Sequence, residues 1–474
     1  MNFEAIIGLE LHVAMKTKSK MFSPAPVQYG VDPNTCINPI DMAFPGTMPT
    51  VNKQAIINAI RVGHVLKMDI DNVLCFDRKN YFYSDLPKGY QITQNRRPIC
   101  RSGEITIKVD GQEKHVRINH MHLEEDACKQ IHLGDHTFID YNRTGIPLLE
   151  IVTEPEISSG EEAMRFVEKI RSIVSFLDVS DGKMEEGTLR CDVNVSIRPI
   201  GASTYGKKVE IKNLNTLTNI QKAIDYEIKY QESRLLSGEM VLEETKRFDE
   251  ASKKTVPMRV KTKSADYKYF TDSNIPPIQL SKDFIESAIS SSPELAEEKY
   301  VKYQKLGLSD YDCAQLTMSK DTCKYFEEII SYGVSPKLAA NWLIVDIQTL
   351  LNNQNITIVD FNVSPKNVAD LINLIEKGTI TNQQAREVLL EMQTSNKSPL
   401  DIIKEKGTSI ISDEKMLLSC ITEILKENPQ LITDYQNGKK RVVAFIVGKV
   451  MKMTQGKANP ELTNKLVERE LKEN

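Results

Sequence analysis

The sequence predicts an α+β protein, with a largely antiparallel sheet and interleaved helices over residues 1–290, an all-helical domain over 291–406 and a small helical tail over 407–474. Three observations carry this. GEITIKVDGQEKHVRINH (103–120) sets two alternating runs around Asp110 and Gly111, a strong hairpin signal. Helical periodicity interrupts such runs, as in SSGEEAMRFVEKIRSIVSFL, where Met164, Val167, Ile170, Ile173, Val174 and Leu177 share a face behind a Ser159 to Glu162 capping box. From Ser291 the texture changes to capped helical segments opening at Ser-Pro sites, such as SPELAEEKYVKYQKLG and SPKLAANWLIVDIQTLL.

Taken in order, IIGLELHVAM reads as a strand. A second helix runs from Thr218 to Leu236 and stops at Gly238, a natural C-cap. LRCDVNVSIRP and VEIKNLN read as further strands, and a new shift near Gly407 opens the tail. At roughly 150 residues per domain, 474 residues suit about three domains. With 40% hydrophobic and 27% charged residues the composition is globular. No apolar run reaches the ~18 residues of a membrane span, and MNFEAIIGLELHV lacks the charged start and long apolar stretch of a leader, so a cytoplasmic protein is expected. The eight cysteines form no CxxC pair, which argues against a zinc ribbon or a disulfide framework. A net charge of −4 excludes coating of nucleic acid by bulk charge and directs attention to local patches.

Acids recur on strand faces. Alternation puts Leu9, Leu11 and Val13 on one side of the first strand, and Glu10 and His12 on the other. In LRCDVNVSIRP, Arg190, Asp192, Asn194, Ser196 and Arg198 oppose an apolar face; in VEIKNLN, Glu210 and Lys212 do the same. Such faces are either solvated or built for a hard cation, which prefers oxygen ligands. HLEED (122–126) adds three adjacent acids, and Glu150 stands between Leu149 and Ile151. A buried carboxylate must be paired, protonated or metal-bound, and an ion pair with a residue such as Arg143 satisfies it as well as a metal does. Magnesium bridging phosphates would suit the set, but no Walker A loop or GxGxxG occurs.

Cations interleave with aromatics twice. RKNYFYSDLPKGYQITQ (78–94) carries Lys79, Tyr81, Tyr83, Lys88 and Tyr90, and MRVKTKSADYKYFTD (258–272) repeats the mixture. This composition suits a phosphate beside a nucleobase, or else a self-packed surface loop. In the tail, residues 438–460 hold Lys439, Lys440, Arg441, Lys449, Lys452 and Lys457 and no acid, either a backbone-contacting surface or a solvated helix face.

GLELHVAMKTKSKMFSP, DMAFPGTMPTVNKQAI, DRKNYFYSDLPKGYQITQ, HLEEDACK, DYNRTGIPLLEIVTEPEI, MEEGTLRCDVNVSIRP and VEIKNLNTLTNIQKAIDYE together resemble, in order and spacing, the B-subunit family of the aspartyl/glutamyl-tRNA amidotransferases. VGKVMKMTQGKANPELTNKLVEREL resembles that family's end. The resemblance implies a glutamine-synthetase-like catalytic domain over 1–290 and a tRNA-binding tail. It implies a heterotrimer with an amidase (A) subunit that frees ammonia and a small C subunit. The implied reaction is ATP-dependent phosphorylation of the side-chain carboxylate on Glu-tRNA(Gln) or Asp-tRNA(Asn), followed by displacement with ammonia.

Residue by residue, the resemblance implies a Mg2+ site at His12, Glu125 and Glu150. It places Glu10, Glu124, Asp192 and Glu210 in the catalytic surroundings of ATP and metal. Lys79, Tyr81, Tyr83, Lys88 and Tyr90 would line the pocket for ATP and the acceptor end, and the six tail cations would hold tRNA. The chain departs from the family pattern at Ser84, Cys128 and within 262–274, where Thr262, Lys268, Thr271 and Ser273 replace an acid, an arginine and two prolines. A non-catalytic RNA-binding module and a metal-dependent hydrolase are the competing readings, and ATP binding and an amide product distinguish them.

Overall fold

The structure, a computed structural model, describes residues 2–260, 266–406, 414–436, 439, 441–454 and 458–473. It divides into two compact units, Met1–Ala296 and Glu297–Asn474.

The first unit is built on a nine-stranded sheet. Its strands are β1 (Phe3–Ala14), β2 (Asp69–Ile70), β3 (Cys100–Val109), β4 (Gln112–Glu125), β5 (Pro147–Thr153), β6 (Leu189–Pro199), β7 (Val209–Lys212), β8 (Glu244–Asp249) and β9 (Lys254–Val260). The spatial order is β9-β8-β7-β6-β1-β5-β4-β3-β2, so the first strand of the chain lies centrally. Every neighbouring pair is antiparallel except β7 with β8. The β3–β4 turn places Asp110 at φ 49° and Gly111 at φ 77°, the positive pair that a tight hairpin needs.

Alternation sorts the sheet into two faces. Leu9, Leu11, Leu149, Ile151, Val193 and Ile211 bury against α1 (Lys53–Val65), α2 (Gly160–Phe176) and α3 (Leu217–Leu236) in one core. Phe166, Val167 and Ile170 of α2 are fully buried there, each worth about 1.5–3 kcal/mol of transfer free energy. Ser159 caps α2 through the Glu162 amide at 3.1 Å. Only half of the expected capping box forms, because the Glu162 carboxylate turns to Ser158 and Lys114. Gly160 permits close packing of α2 on α3, since a Cβ there would stand 2.6 Å from the Gln221 carbonyl oxygen. Glu227 of α3 is wholly buried and is satisfied by Lys246 at 3.1 Å and by Thr255 at 2.6 Å.

A smaller sheet joins strands Asp77–Asn80, Tyr90–Thr93 and Phe270–Thr271. It brings together the two cation-and-aromatic segments that the sequence presents separately.

The second unit is helical. The segment opening at Ser292-Pro293 becomes helical at Ala296 and runs to Lys305. The segment opening at Ser335 begins as Pro336–Asn341, passes through a π-helix at Trp342–Ile347 and resumes at Gln348–Gln354, where periodicity predicts one regular helix. Helices Glu414–Glu427, Arg441–Met453 and Pro460–Glu473 gather an apolar cluster of their own around Leu417, Ile421, Ile446, Val450 and Val467. Among the described residues no helix is long and apolar enough to cross a membrane. All eight cysteines are free.

Candidate active site on the polar face of the sheet

Register assembles the site. His12 of β1 stands opposite Glu150 of β5 on one side and Arg190 of β6 on the other, and Glu150 stands opposite His122 of β4. One step along, Glu10 faces Asp192, and Asn194 faces Glu210. Because these strands run with their apolar alternates in the core, the whole row projects from the opposite face. A cleft of about 290 Å³ lined by Gly8, Glu10, Asn194, Tyr205 and Lys208 opens on this face.

Four side chains interlock. The His12 Nε2 atom lies 3.3 Å from Glu150 Oε2 and 3.8 Å from Glu124 Oε1. The His122 Nε2 atom lies 3.3 Å from that same Glu150 oxygen and 3.7 Å from Glu124 Oε2. Ligand atoms of His12, Glu124 and Glu150 all fall within 4.8 Å of one another. An octahedral cation with ligands at about 2.1 Å sets adjacent donors ~3 Å apart, so a slight contraction of this group encloses one. One imidazole and two carboxylates are a donor set that a divalent ion accepts.

Electrostatics agree with the geometry. Burial alone would lower the pKa of His12, but its hydrogen bond to Glu150 and the charges of Glu150 and Glu124 raise it. The same balance pushes His122 up to about 10. Glu150 would be raised by burial, yet the two imidazoles hold it well below the usual carboxylate range. Two acids converge on two imidazoles, an arrangement in which a cation can take over the balancing of the carboxylate charge.

Around this centre the charges are fixed in pairs. Asn194 donates to Glu10 at 2.8 Å, while Lys212 pairs with Asp192 and, at 3.1 Å, with Glu210. Arg190 Nη2 pairs with Asp126 at 3.0 Å, and its buried Nε has no acceptor among the described residues. The Lys79 ammonium stands 5.0 Å from the Tyr267 ring and 6.0 Å from that of Tyr81. Burial would lower its pKa, but Glu124, Tyr269 and Glu150 raise it, so it stays charged. Tyr81 makes edge contacts with Tyr83 and Tyr267. Arg78 lies 4.1 Å from the Tyr90 ring.

Several sequence expectations meet different surroundings here. His12 and Glu150 come together with Glu124. Glu125, the next residue, falls out of the alternation and is buried beside Lys88, accepting the Ile92 amide at 2.9 Å. Glu150 is satisfied by histidines and not by Arg143, which donates to the Ala127 and Cys128 carbonyls and pairs with Asp126. Sequence reasoning missed His122, although the period-two step back from Glu124 marks it. In the tail, Arg441, Phe445, Lys449 and Lys452 follow helical spacing on one face of Arg441–Met453, opposite buried Val442, Ile446 and Val450. Lys449 lies 5.5 Å from the Phe445 ring, and Lys439 pairs with Asp434 at 2.9 Å. Lys440, Lys457 and residues 261–265 fall outside the described residues.

Comparison with known proteins aligns with this geometry. A family model described as the GatB/GatE catalytic domain matches residues 5–286, and a second, described as the GatB domain, matches 324–471. The chain is 45% identical over 472 residues to the B subunit of the aspartyl/glutamyl-tRNA(Asn/Gln) amidotransferase of Staphylococcus aureus, strain MRSA252. It is 46% identical over 473 residues to the protein of that name from Bacillus cytotoxicus. Each alignment covers 99% of both chains.

Proposed function

The chain belongs to the GatB family, and on that premise we propose that it is the B subunit of a tRNA-dependent amidotransferase, converting Glu-tRNA(Gln), Asp-tRNA(Asn) or both to the amidated form. The observation that carries the reading is the convergence of His12, Glu124 and Glu150 on one spot, with the Lys79 ammonium and a tyrosine cluster alongside.

The catalytic unit is then of the glutamine-synthetase type, and it uses ATP to phosphorylate the aminoacyl side-chain carboxylate before ammonia displaces phosphate. Mg2+ held by His12, Glu124 and Glu150 would neutralise phosphate charge when bound. Glu10, Asp192 and Glu210, pinned by Asn194 and Lys212, keep this face acidic and fixed in geometry. Lys79 stays protonated and offsets negative charge on the transferred group. The orphan Arg190 Nε–H is a donor suited to a phosphate or carboxylate oxygen. Tyr81, Tyr83 and Tyr90 offer stacking faces to the acceptor end. Lys88, buried against Glu125, orders the loop that carries those rings. The tail, residues 407–474, holds the tRNA body through its cations. An amidase A subunit and a small C subunit complete the assembly, since the sequence contains no recognisable amidase nucleophile.

The test supplies the isolated chain with misacylated tRNA, ATP and Mg2+. Ammonium chloride should yield amidated tRNA, and glutamine should serve only after the amidase partner is added. Equal use of glutamine by the isolated chain would overturn this division of labour.

A further inference from the structure

His122 opens the HLEED motif without being given a role by the sequence, yet it touches both carboxylates of the ion-binding group. We infer that His122 is a positioning residue for that group: it stands against the Glu124 oxygen that His12 does not approach, bridges to Glu150, and leaves direct coordination to His12. The inference rests on the reading that His12, Glu124 and Glu150 hold the divalent ion.

The contacts divide the oxygens of Glu124 between the two imidazoles. His12 approaches Oε1, and His122 approaches Oε2. An ion that uses His12 takes the Oε1 side, so an imidazole 3.7 Å from Oε2 orients the carboxylate without competing for the coordinating lone pair. The same Nε2 atom lies 3.3 Å from Glu150 Oε2, the oxygen that His12 also approaches, and so links the two acids. Two buried carboxylates facing one spot repel each other, and a shared donor is the cheapest way to keep them converged.

Among the described residues His122 makes no ion pair other than these two. Its Nδ1 is buried with no partner among the described residues, and its side chain is only 10% exposed against 21% for His12. Its ring stacks on His120 at 5.4 Å, which fixes the direction of Nε2. A histidine kept for packing would not leave one ring nitrogen bare in the interior.

The experiment uses the full chain and Mn2+ as a magnetic stand-in for Mg2+. His122→Phe should weaken Mn2+ binding by about 10–100-fold, the usual loss when a supporting partner of a metal ligand is removed. His122→Gln, which retains a donor, should recover part of that loss, with the unfolding midpoint of both variants near wild type. Electron spin echo spectra should show one directly coordinated 14N in wild type and His122→Gln, and none in His12→Ala. Two coordinated nitrogens in wild type, falling to one in His122→Gln, would make His122 a ligand and overturn the inference. Unchanged Mn2+ affinity in His122→Phe would also overturn it. If His12→Ala leaves both affinity and the nitrogen signal intact, the underlying assignment of the ion site fails instead.

Discussion

The polar face of the sheet and the basic face of the tail helix are both built from charged side chains, and they treat charge in opposite ways. On the sheet nearly every charge is partnered at a fixed distance: Asn194 with Glu10, Lys212 with Asp192 and Glu210, His12 and His122 with Glu150. On Arg441–Met453 the cations stand along a stripe, with Phe445 half exposed among them. Fixed pairs in a partly buried setting suit a reaction, where misplacement by an ångström costs rate. A stripe of exposed and half-exposed cations suits a polyanion whose phosphates can be met in many registers.

This contrast can be broken at either end. The largest expected effect is at the centre of the sheet. Glu150→Gln or Glu124→Gln should cut amidation with saturating ammonium by about 100-fold or more, as removal of one ionic ligand from a phosphoryl-transfer ion does, while tRNA binding stays near wild type. Glu125→Gln, one residue away, should act through the Lys88 loop and raise KM more than it lowers kcat. If Glu125→Gln and Glu124→Gln gave the same kinetic pattern, the alternation argument that separates them would fail.

An intermediate effect belongs to the tail. Reversing Arg441, Lys449 and Lys452 to Glu should weaken tRNA binding at moderate salt and lower the slope of log affinity against log salt by roughly 0.9 for each phosphate that is no longer neutralised. The chemical step at saturating tRNA should be unaffected. An unaltered slope in filter-binding titrations would leave the stripe as a packing or intersubunit surface.

The smallest effect separates a charge fixed for stability from one fixed for chemistry. Burial would raise the pKa of Glu162, but Lys114 and Ser158 outweigh it and hold the carboxyl below its usual value. The native state therefore binds fewer protons than the unfolded chain. The resulting stability is present above the unfolded pKa, near 4.3, and is lost as pH falls through the folded one. Glu162→Gln should cost about 1–2 kcal/mol in urea unfolding at pH 7, with the difference from wild type closing by about pH 3. Amidation should not change. A constant difference across that range would assign the loss to packing at the start of α2.

Much of this was legible in the residues. Period-two alternation put Glu10 and His12 on one face, and Asp110 with Gly111 marked the hairpin that the backbone angles bear out. Thr218 to Leu236 matches α3 within a residue, and Gly238 follows its end at φ 74°. The family, too, could be recognised from its motifs. What stayed hidden is what pairing decides. Local sequence does not say that β5 lies between β1 and β4, so it cannot show that Glu150 will meet two histidines and not Arg143. Adjacent acids at 124 and 125 are equivalent in composition, and only strand phase sends one to the ion group and the other to Lys88. The joining of 78–94 with 270–271 needs a three-stranded sheet across nearly the whole unit. The π-helix at Trp342–Ile347 has no local signature that periodicity can read.

The central position of β1 has a consequence for how the protein is made. On the ribosome, β1 emerges well before both of its partners, residues 147–153 and 189–199. At about 5–20 residues per second, the nascent Leu9, Leu11 and Val13 wait roughly 10–40 s for both neighbours to be synthesised. For that interval the strand carries an apolar face and two unpaired edges, so the emerging chain depends on chaperones or on its own collapsed state until Pro199 has cleared the exit tunnel.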